Sequence, residues 1–129
     1  MQTTVTFSVK SWDEKTYAEL EGGRKLTRVL ASFAYTGDLQ AEGELEYLMA
    51  YAADGTGRFV GLERVTGSLN GQAGTFVTQH TGTFDPASVK INWLIVAGTG
   101  TDALEKLQGG ADMILMGHGP YTMQLNYEL

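Results

Sequence analysis

Glu63 and His80 are the two residues of this sequence whose types and spacing best suit acid–base chemistry. They lie on consecutive segments joined by Asn70-Gly71, which is the preferred pair for a type I′ hairpin turn. That turn places Glu63 opposite Thr78 and makes His80 its diagonal neighbour, with the Cβ atoms roughly 7 Å apart. A buried carboxylate beside an imidazole can tune an acid or a base toward neutral pH. We therefore name Glu63 and His80 as candidate catalytic residues.

The next reversal, at Asp85-Pro86-Ala87-Ser88, suits a four-residue loop and places His80 opposite Trp93. The two hairpins agree on one face that is more apolar and aromatic than the other, and this face is predicted to point inward. Candidate ligand-binding residues on it are Phe59, Phe76, Thr78 and Trp93. The outward face also carries apolar residues, which favours burial in a homo-oligomer: Val60, Leu62, Val77, Leu94 and Val96.

The connection at Asp54-Gly55 leaves two registers open for the strand that precedes it. A turn of two or four residues places Glu46 inside, whereas a three-residue loop places Tyr47 there, because a slip of one residue turns every side chain to the other face. We favour the first register, which adds Glu46 to the candidate ligand-binding residues.

The elements that these turns connect are eight segments with alternating or β-rich sequence. They are predicted near residues 3–12, 25–37, 42–53, 57–69, 72–84, 88–98, 111–117 and 120–129. Asp102 and Glu105 have capping-box spacing and Gly109 stands where a helix would stop, so residues 102–108 are predicted to form one or two helical turns. The pattern favours one all-β domain over residues 1–129, an eight-stranded antiparallel barrel in preference to a sandwich.

Composition excludes several classes of site. The chain has 129 residues and no cysteine, so disulfides, thiolate catalysis and zinc–sulfur sites are absent. His80 and His118 are too far apart for an HxH or HExxH pair, so no metal site is predicted, and His118 is expected to be exposed in a glycine–proline turn. The Gly98-Thr99-Gly100-Thr101 run lacks the parallel-strand context of a phosphate loop, and no cofactor is predicted.

A net charge of −6 without a basic face disfavours nucleic acids and anionic membranes as partners. The first residues are polar and do not form a signal peptide, and no apolar run reaches the length that spans a bilayer. A cytoplasmic protein is the expectation.

Several runs of the sequence carry a family resemblance. They are EYLMAY at 46–51, FVGLERVTG at 59–67, GTFVTQHTGTF at 74–84 and GTGT at 98–101, with SWD at 11–13 and KLT at 25–27. Together they resemble a family of bacterial proteins catalogued as domain of unknown function 3224. The resemblance implies a barrel like that of the allene oxide cyclases. That wider fold includes oligomeric cyclising enzymes that steer a reactive substrate in an apolar cavity, but none of their substrate-handling residues can be placed on this chain.

Three functions fit these observations. The leading hypothesis is a barrel that binds a small apolar or aromatic molecule inside. The second is a cofactor-independent isomerase or cyclase in which Glu63 or His80 moves a proton. The third is a structural or interaction module with a filled core, in which Glu63 and His80 only satisfy one another.

Overall fold

The computed structural model describes all residues, Met1–Leu129, and its architecture is a closed antiparallel barrel in which β8 pairs with β1. The all-β prediction is therefore confirmed. The strands are β1 (Gln2–Glu19), β2 (Lys25–Gly37), β3 (Leu39–Tyr51), β4 (Gly57–Leu69), β5 (Gln72–Phe84), β6 (Ser88–Ile95), β7 (Gln108–Met116) and β8 (Tyr121–Glu128). Two short 3-10 turns, Glu21–Gly23 and Asp102–Leu104, complete the chain.

Strand β1 is the longest and continues well past its predicted end. Its pairing with β2 shifts by one residue between Val9 and Ser11 and again between Thr16 and Ala18. Such bulges bend a strand and increase its twist, which helps a sheet to curl into a barrel. β1 pairs with β8 only as far as Phe7, so beyond that point it pairs with β2 alone.

The turn between β4 and β5 has the predicted geometry. Asn70 and Gly71 have φ angles of 47° and 82°, the left-handed values that a type I′ turn requires at both central residues. The register that follows places Glu63 opposite Thr78, as predicted. Both side chains are buried inside the barrel.

The loop between β5 and β6 also has the predicted register. Asp85 closes it, because its carboxylate accepts hydrogen bonds from the backbone N–H groups of Ala87 and Ser88 at 2.7 and 2.8 Å. His80 consequently pairs with Trp93, and both are buried.

The predicted register of β3, which would place Glu46 inside the barrel, is wrong. Tyr51 pairs with Gly57, so the β3–β4 loop contains the odd number of residues 52–56 and reverses the facing of β3. Tyr47 points inward and is buried, whereas the Glu46 carboxylate lies outside, 2.9 Å from the Arg28 guanidinium. This arrangement buries an aromatic ring and leaves a charge in water, which lowers the free energy of the fold.

The helical turn predicted over residues 102–108 forms, but only as a single short turn. Only the 3-10 turn Asp102–Leu104 forms, and β7 begins at Gln108 rather than near 111. Asp102 has a φ of 53° and no side chain caps the turn, so the capping box does not form. The segment instead bonds to β5 through Thr101, whose Oγ1 accepts from the backbone N–H of Thr75 at 2.9 Å.

One end of the barrel is filled by leucine side chains. The β6–β7 connection folds across this end and inserts Leu104 and Leu107. The leucines that are almost completely buried there are Leu39, Leu69, Leu104, Leu107 and Leu125. These five side chains, called here the leucine plug, close the barrel at the end where β2–β3 and β4–β5 turn. An internal cavity can therefore lie only toward the other end.

Strands β7 and β8 separate along most of their length. They pair only at Gln108–Glu128, Gly109–Tyr127 and Gly110–Asn126. From Ala111 onward β7 pairs with β6 alone. We call the unpaired part of this hairpin, residues 111–125, the splayed hairpin.

Apolar side chains on the outside of the barrel match the sequence pattern. Val60, Leu62 and Leu94 are exposed, and Val77 and Val96 are half-buried. Association through this face stays a prediction.

None of the helical segments is long and apolar enough to cross a lipid bilayer.

Candidate functional site

The side chain of Glu63 lies in the middle of the barrel and is fully buried. Inward-facing positions of β4 point directly into the core, and the hairpin registers bring polar side chains of β2, β5 and β6 around the carboxylate. The cluster formed by Tyr35, Tyr47, Glu63, Thr78, His80 and Trp93 is called here the buried polar cluster.

Four neighbours donate to the Glu63 carboxylate. The Tyr35 hydroxyl lies 2.8 and 2.6 Å from its two oxygens. Oε1 also accepts from the Thr78 hydroxyl at 2.9 Å, from His80 Nε2 at 3.0 Å and from Trp93 Nε1 at 3.3 Å. An indole N–H can only donate, and an ionised carboxylate only accepts, so this set of partners fits the charged form of Glu63.

The same geometry assigns the proton on His80. Its Nε2 faces Glu63 Oε1 and the Thr78 hydroxyl, and the Thr78 proton is already directed to Glu63. Nε2 must therefore carry a hydrogen. Nδ1 lies 2.5 Å from the Tyr47 hydroxyl, which donates to it when the imidazole is neutral.

Both tyrosines of the cluster stay protonated over the ordinary pH range. Burial, followed by the nearby Glu63 charge and its hydrogen bond, raises the pKa of Tyr35 well above its usual value. Burial and then the charge of Glu63 raise the pKa of Tyr47 in the same way. Each phenol is thus a hydrogen-bond donor, and no buried polar side-chain atom in the barrel lacks a partner.

A cavity of about 470 Å³ lies between the buried polar cluster and the end of the barrel opposite the leucine plug. Aromatic side chains from β1 to β4 form one wall, and the opposite wall comes from β6, β7 and the start of β8. The aromatic residues that line it include Phe7, Trp12, Phe33, Phe59, Phe84 and Tyr121. Residues 85–88 and 117–118 border the cavity at its mouth, and His118 is exposed there, as expected.

The cavity touches some of the predicted site residues and not others. Phe59, His80 and Trp93 line it. Glu63 and Thr78 lie behind His80 and do not line the cavity. Both are hydrogen-bonded to His80, which does line it. The remaining predictions, Phe76 and Glu46, do not line it. Phe76 packs edge-on against the far side of Trp93 at 6.2 Å between ring centroids, and Glu46 lies outside the barrel.

The residues that connect the cluster to the cavity are not evident from the sequence pattern. Tyr47 lines the cavity and contacts His80, but its inward facing depends on an odd loop length that the Asp54-Gly55 signal does not specify. Tyr35 is not among the predicted site residues, although its hydroxyl contacts both oxygens of Glu63. The inward-facing series of β2, which includes Val29, Phe33 and Tyr35, was the available signal.

Comparison with known proteins agrees with the resemblance seen in the sequence. A family model described as protein of unknown function (DUF3224) matches residues 3–127. A solved structure of a DUF3224-family protein of unknown function from Shewanella oneidensis MR-1 is similar, with 27% identity and a TM-score of 0.80, over 98% of this chain and 95% of that one. No curated protein matches. The match over almost the whole barrel shows that the chain belongs to the DUF3224 family.

Proposed function

We propose that this protein binds a small apolar or aromatic molecule in the barrel cavity. The observation that carries the proposal is an apolar cavity that ends on a polar floor. Its volume of about 470 Å³ falls in the range of about 300–1,000 Å³ that is usual for small-molecule sites. Fifteen of its 21 lining residues are hydrophobic, and Tyr47 and His80 supply polar atoms at the inner end. Few oriented polar groups in an apolar pocket are typical of ligand sites.

A module with a filled core is supported less well. The leucine plug fills only the end of the barrel near the β4–β5 turn, whereas the other end holds the cavity. A protein that used the barrel only as a scaffold would gain stability from filling this space, because each lost apolar contact costs free energy.

A neutral fluorescent probe, N-phenylnaphthylamine, tests the proposal. We expect its emission to rise on binding to the wild-type protein. A Met113→Trp variant fills the cavity from β7 and should abolish the rise, whereas Ile114→Trp adds the same ring to the outer face and should preserve it. Circular dichroism checks that both variants fold. Equal binding by the two variants, or no binding by wild type, would overturn the proposal.

A cofactor-independent isomerase or cyclase is the second candidate. The Tyr47 hydroxyl lies 2.5 Å from His80 Nδ1 and Glu63 holds the other imidazole nitrogen, which is the arrangement of a base oriented by a third group. In this scheme a bound enol passes its O–H proton to the Tyr47 oxygen while Tyr47 passes its own proton to His80 Nδ1. Water then protonates the α-carbon of the resulting enolate to give the ketone, and the imidazolium returns its proton through Tyr47 to the hydroxide that remains. Glu63 does not line the cavity, so it acts as a positioning residue.

Deuterium exchange at the α-carbon of tetralone, an aryl ketone that enolises reversibly, tests this second candidate. NMR should show faster exchange in the presence of wild-type protein, with a loss of about 100-fold or more in His80→Gln. Tyr121→Phe removes another cavity-lining phenol and should leave the rate unchanged. Exchange that wild type does not accelerate, or that persists in His80→Gln, would reject the catalytic role.

A further inference from the structure

We propose that the cavity selects neutral ring compounds that carry a hydroxyl group, and that Tyr47 is the residue that recognises this hydroxyl. The inference rests on the proposed function and names the ligand class of the same cavity. It follows from which polar atoms of the lining remain free, from the direction of the Tyr47 proton and from the charge around the cavity.

Most polar groups of the cavity wall already have partners. Trp93 donates its indole N–H to Glu63, and Trp12 donates its own to Glu14 at 3.1 Å. The Tyr121 hydroxyl donates to the backbone carbonyl of Gly117 at 2.6 Å. At the mouth, the Asp85 carboxylate is held by the turn that it closes. None of these groups offers the inner part of the cavity a free hydrogen-bonding atom.

The Tyr47 hydroxyl also donates its proton and accepts none, but it lies at the buried inner end of the cavity, whereas the Tyr121 hydroxyl is exposed at the mouth beside Gly117. Thr78 and Glu63 fix the hydrogen of His80 on Nε2, so Nδ1 accepts the Tyr47 proton when the imidazole is neutral. The phenolic oxygen has a second lone pair, and His80 is its only hydrogen-bond partner. The floor of the cavity therefore presents a hydrogen-bond acceptor, which is complementary to a ligand O–H.

The charge distribution favours a neutral ligand. No lysine or arginine lines the cavity, so an anionic ligand would be desolvated without a permanent cation to pair with. The Glu63 charge lies directly behind His80 and would repel an anion further. A cationic ligand would also lose its hydration, and Glu63 is already occupied by its four donors.

Naphthalene derivatives of matched size separate the contribution of the ligand hydroxyl from that of the ligand charge. Calorimetry or probe displacement should show that naphthol binds wild type about three- to tenfold more tightly than methoxynaphthalene, which has the same ring and an oxygen but no proton to donate. Naphthoate and the cationic aminomethylnaphthalene should bind more weakly than both. Tyr47→Phe should bring naphthol and methoxynaphthalene to equal affinity, whereas Tyr121→Phe should keep them apart.

The outcomes distinguish this inference from the function on which it rests. Methoxynaphthalene that binds wild type as tightly as naphthol, or either charged probe binding most tightly, would overturn the hydroxyl selectivity and leave the apolar cavity standing. Failure of all four probes would overturn both. The wild-type series decides the question even if Tyr47→Phe does not fold, because the methoxy control needs no variant.

Discussion

Glu63 occupies the space that a side chain at residue 43 would need. A Cβ atom on Gly43 would lie 1.9 Å from Oε2 of Glu63 and 2.7 Å from its carboxyl carbon. The glycine of β3 therefore makes room for the carboxylate at the centre of the buried polar cluster. This contact is between neighbouring strands, so a single methyl group could displace the charge from its donors.

Gly43→Ala is expected to destabilise the protein by about 1–3 kcal/mol, the usual cost of overpacking a dense core. Urea unfolding followed by circular dichroism gives the free energy. The matched experiment places the same substitution in a Glu63→Ala background, where the carboxylate is absent. If Gly43→Ala costs as much there as in wild type, the clash with Glu63 is not the cause.

Glu63→Gln should lower the free energy of unfolding by about 2–4 kcal/mol. The amide removes the negative charge that strengthens these buried hydrogen bonds, and it replaces one acceptor with a donor in a site whose four neighbours all donate to the carboxylate. Glu46→Gln is the control, because Glu46 lies outside the barrel in an exposed pair with Arg28 and should cost less than about 1 kcal/mol. Similar losses in the two variants would contradict the role assigned to the cluster.

Alkaline pH should unfold the barrel through its buried tyrosines. The pKa values of Tyr35 and Tyr47 are raised in the fold, first by burial and then by the charge of Glu63. The unfolded chain therefore ionises these phenols first, and stability that is complete below a pH of about 10 is lost as the pH rises above it. Tyrosinate absorbance and circular dichroism, recorded together, report ionisation and unfolding.

The Tyr47→Phe variant identifies which absorbance step belongs to the cluster. Relative to wild type, the absorbance change that coincides with unfolding should be smaller by the amount that one tyrosinate contributes. Absorbance changes at lower pH should be the same in both proteins. Loss from a step that precedes unfolding would mean that Tyr47 ionises within the folded barrel and does not keep the proton that it donates to His80.

Acid should weaken the contact that ties β1 to β3. Burial alone would raise the pKa of Glu14, but hydrogen bonds from Tyr51, Thr27 and Trp12 outweigh it and lower the pKa below 4.5. The contribution of Glu14 to stability is therefore present above this pH and is lost as the pH falls through the lowered value. Urea unfolding over a pH series should show that Tyr51→Phe is most destabilising near neutrality and less so in acid. A pH-independent difference would disagree with this linkage.

Much of the barrel could be read from its turns. Asn70-Gly71 and Asp85 each specify one loop length, and the pairing they set carries Glu63, Thr78, His80 and Trp93 to the interior. Interior facing is a local property of such hairpins, since side chains alternate along each strand. This is why the central part of the candidate site follows from residue spacing alone.

The rest of the site depends on features that have no local signature. The five-residue loop before β4 turns Tyr47 inward and Glu46 outward. The Asp54-Gly55 pair is compatible with a loop of even or odd length, so it does not decide between the two. The cavity is a difference between the volume that the backbone encloses and the volume that the side chains fill, so it requires all eight strands in place. The short length of the helical turn Asp102–Leu104 shows the same limit, because the preceding Thr101 bonds to β5, a partner distant in sequence.

At the splayed hairpin, beside the cavity, the barrel wall lacks backbone pairing between two neighbouring strands. Met113 and Leu115 of β7 and Tyr121 of β8 border the cavity where the two strands are not paired. Widening the barrel at this seam breaks no interstrand hydrogen bond between β7 and β8, whereas widening it between any other pair of strands would break several. The wall beside the cavity is therefore held together at this seam by side-chain packing rather than by a backbone ladder, unlike the other seven seams.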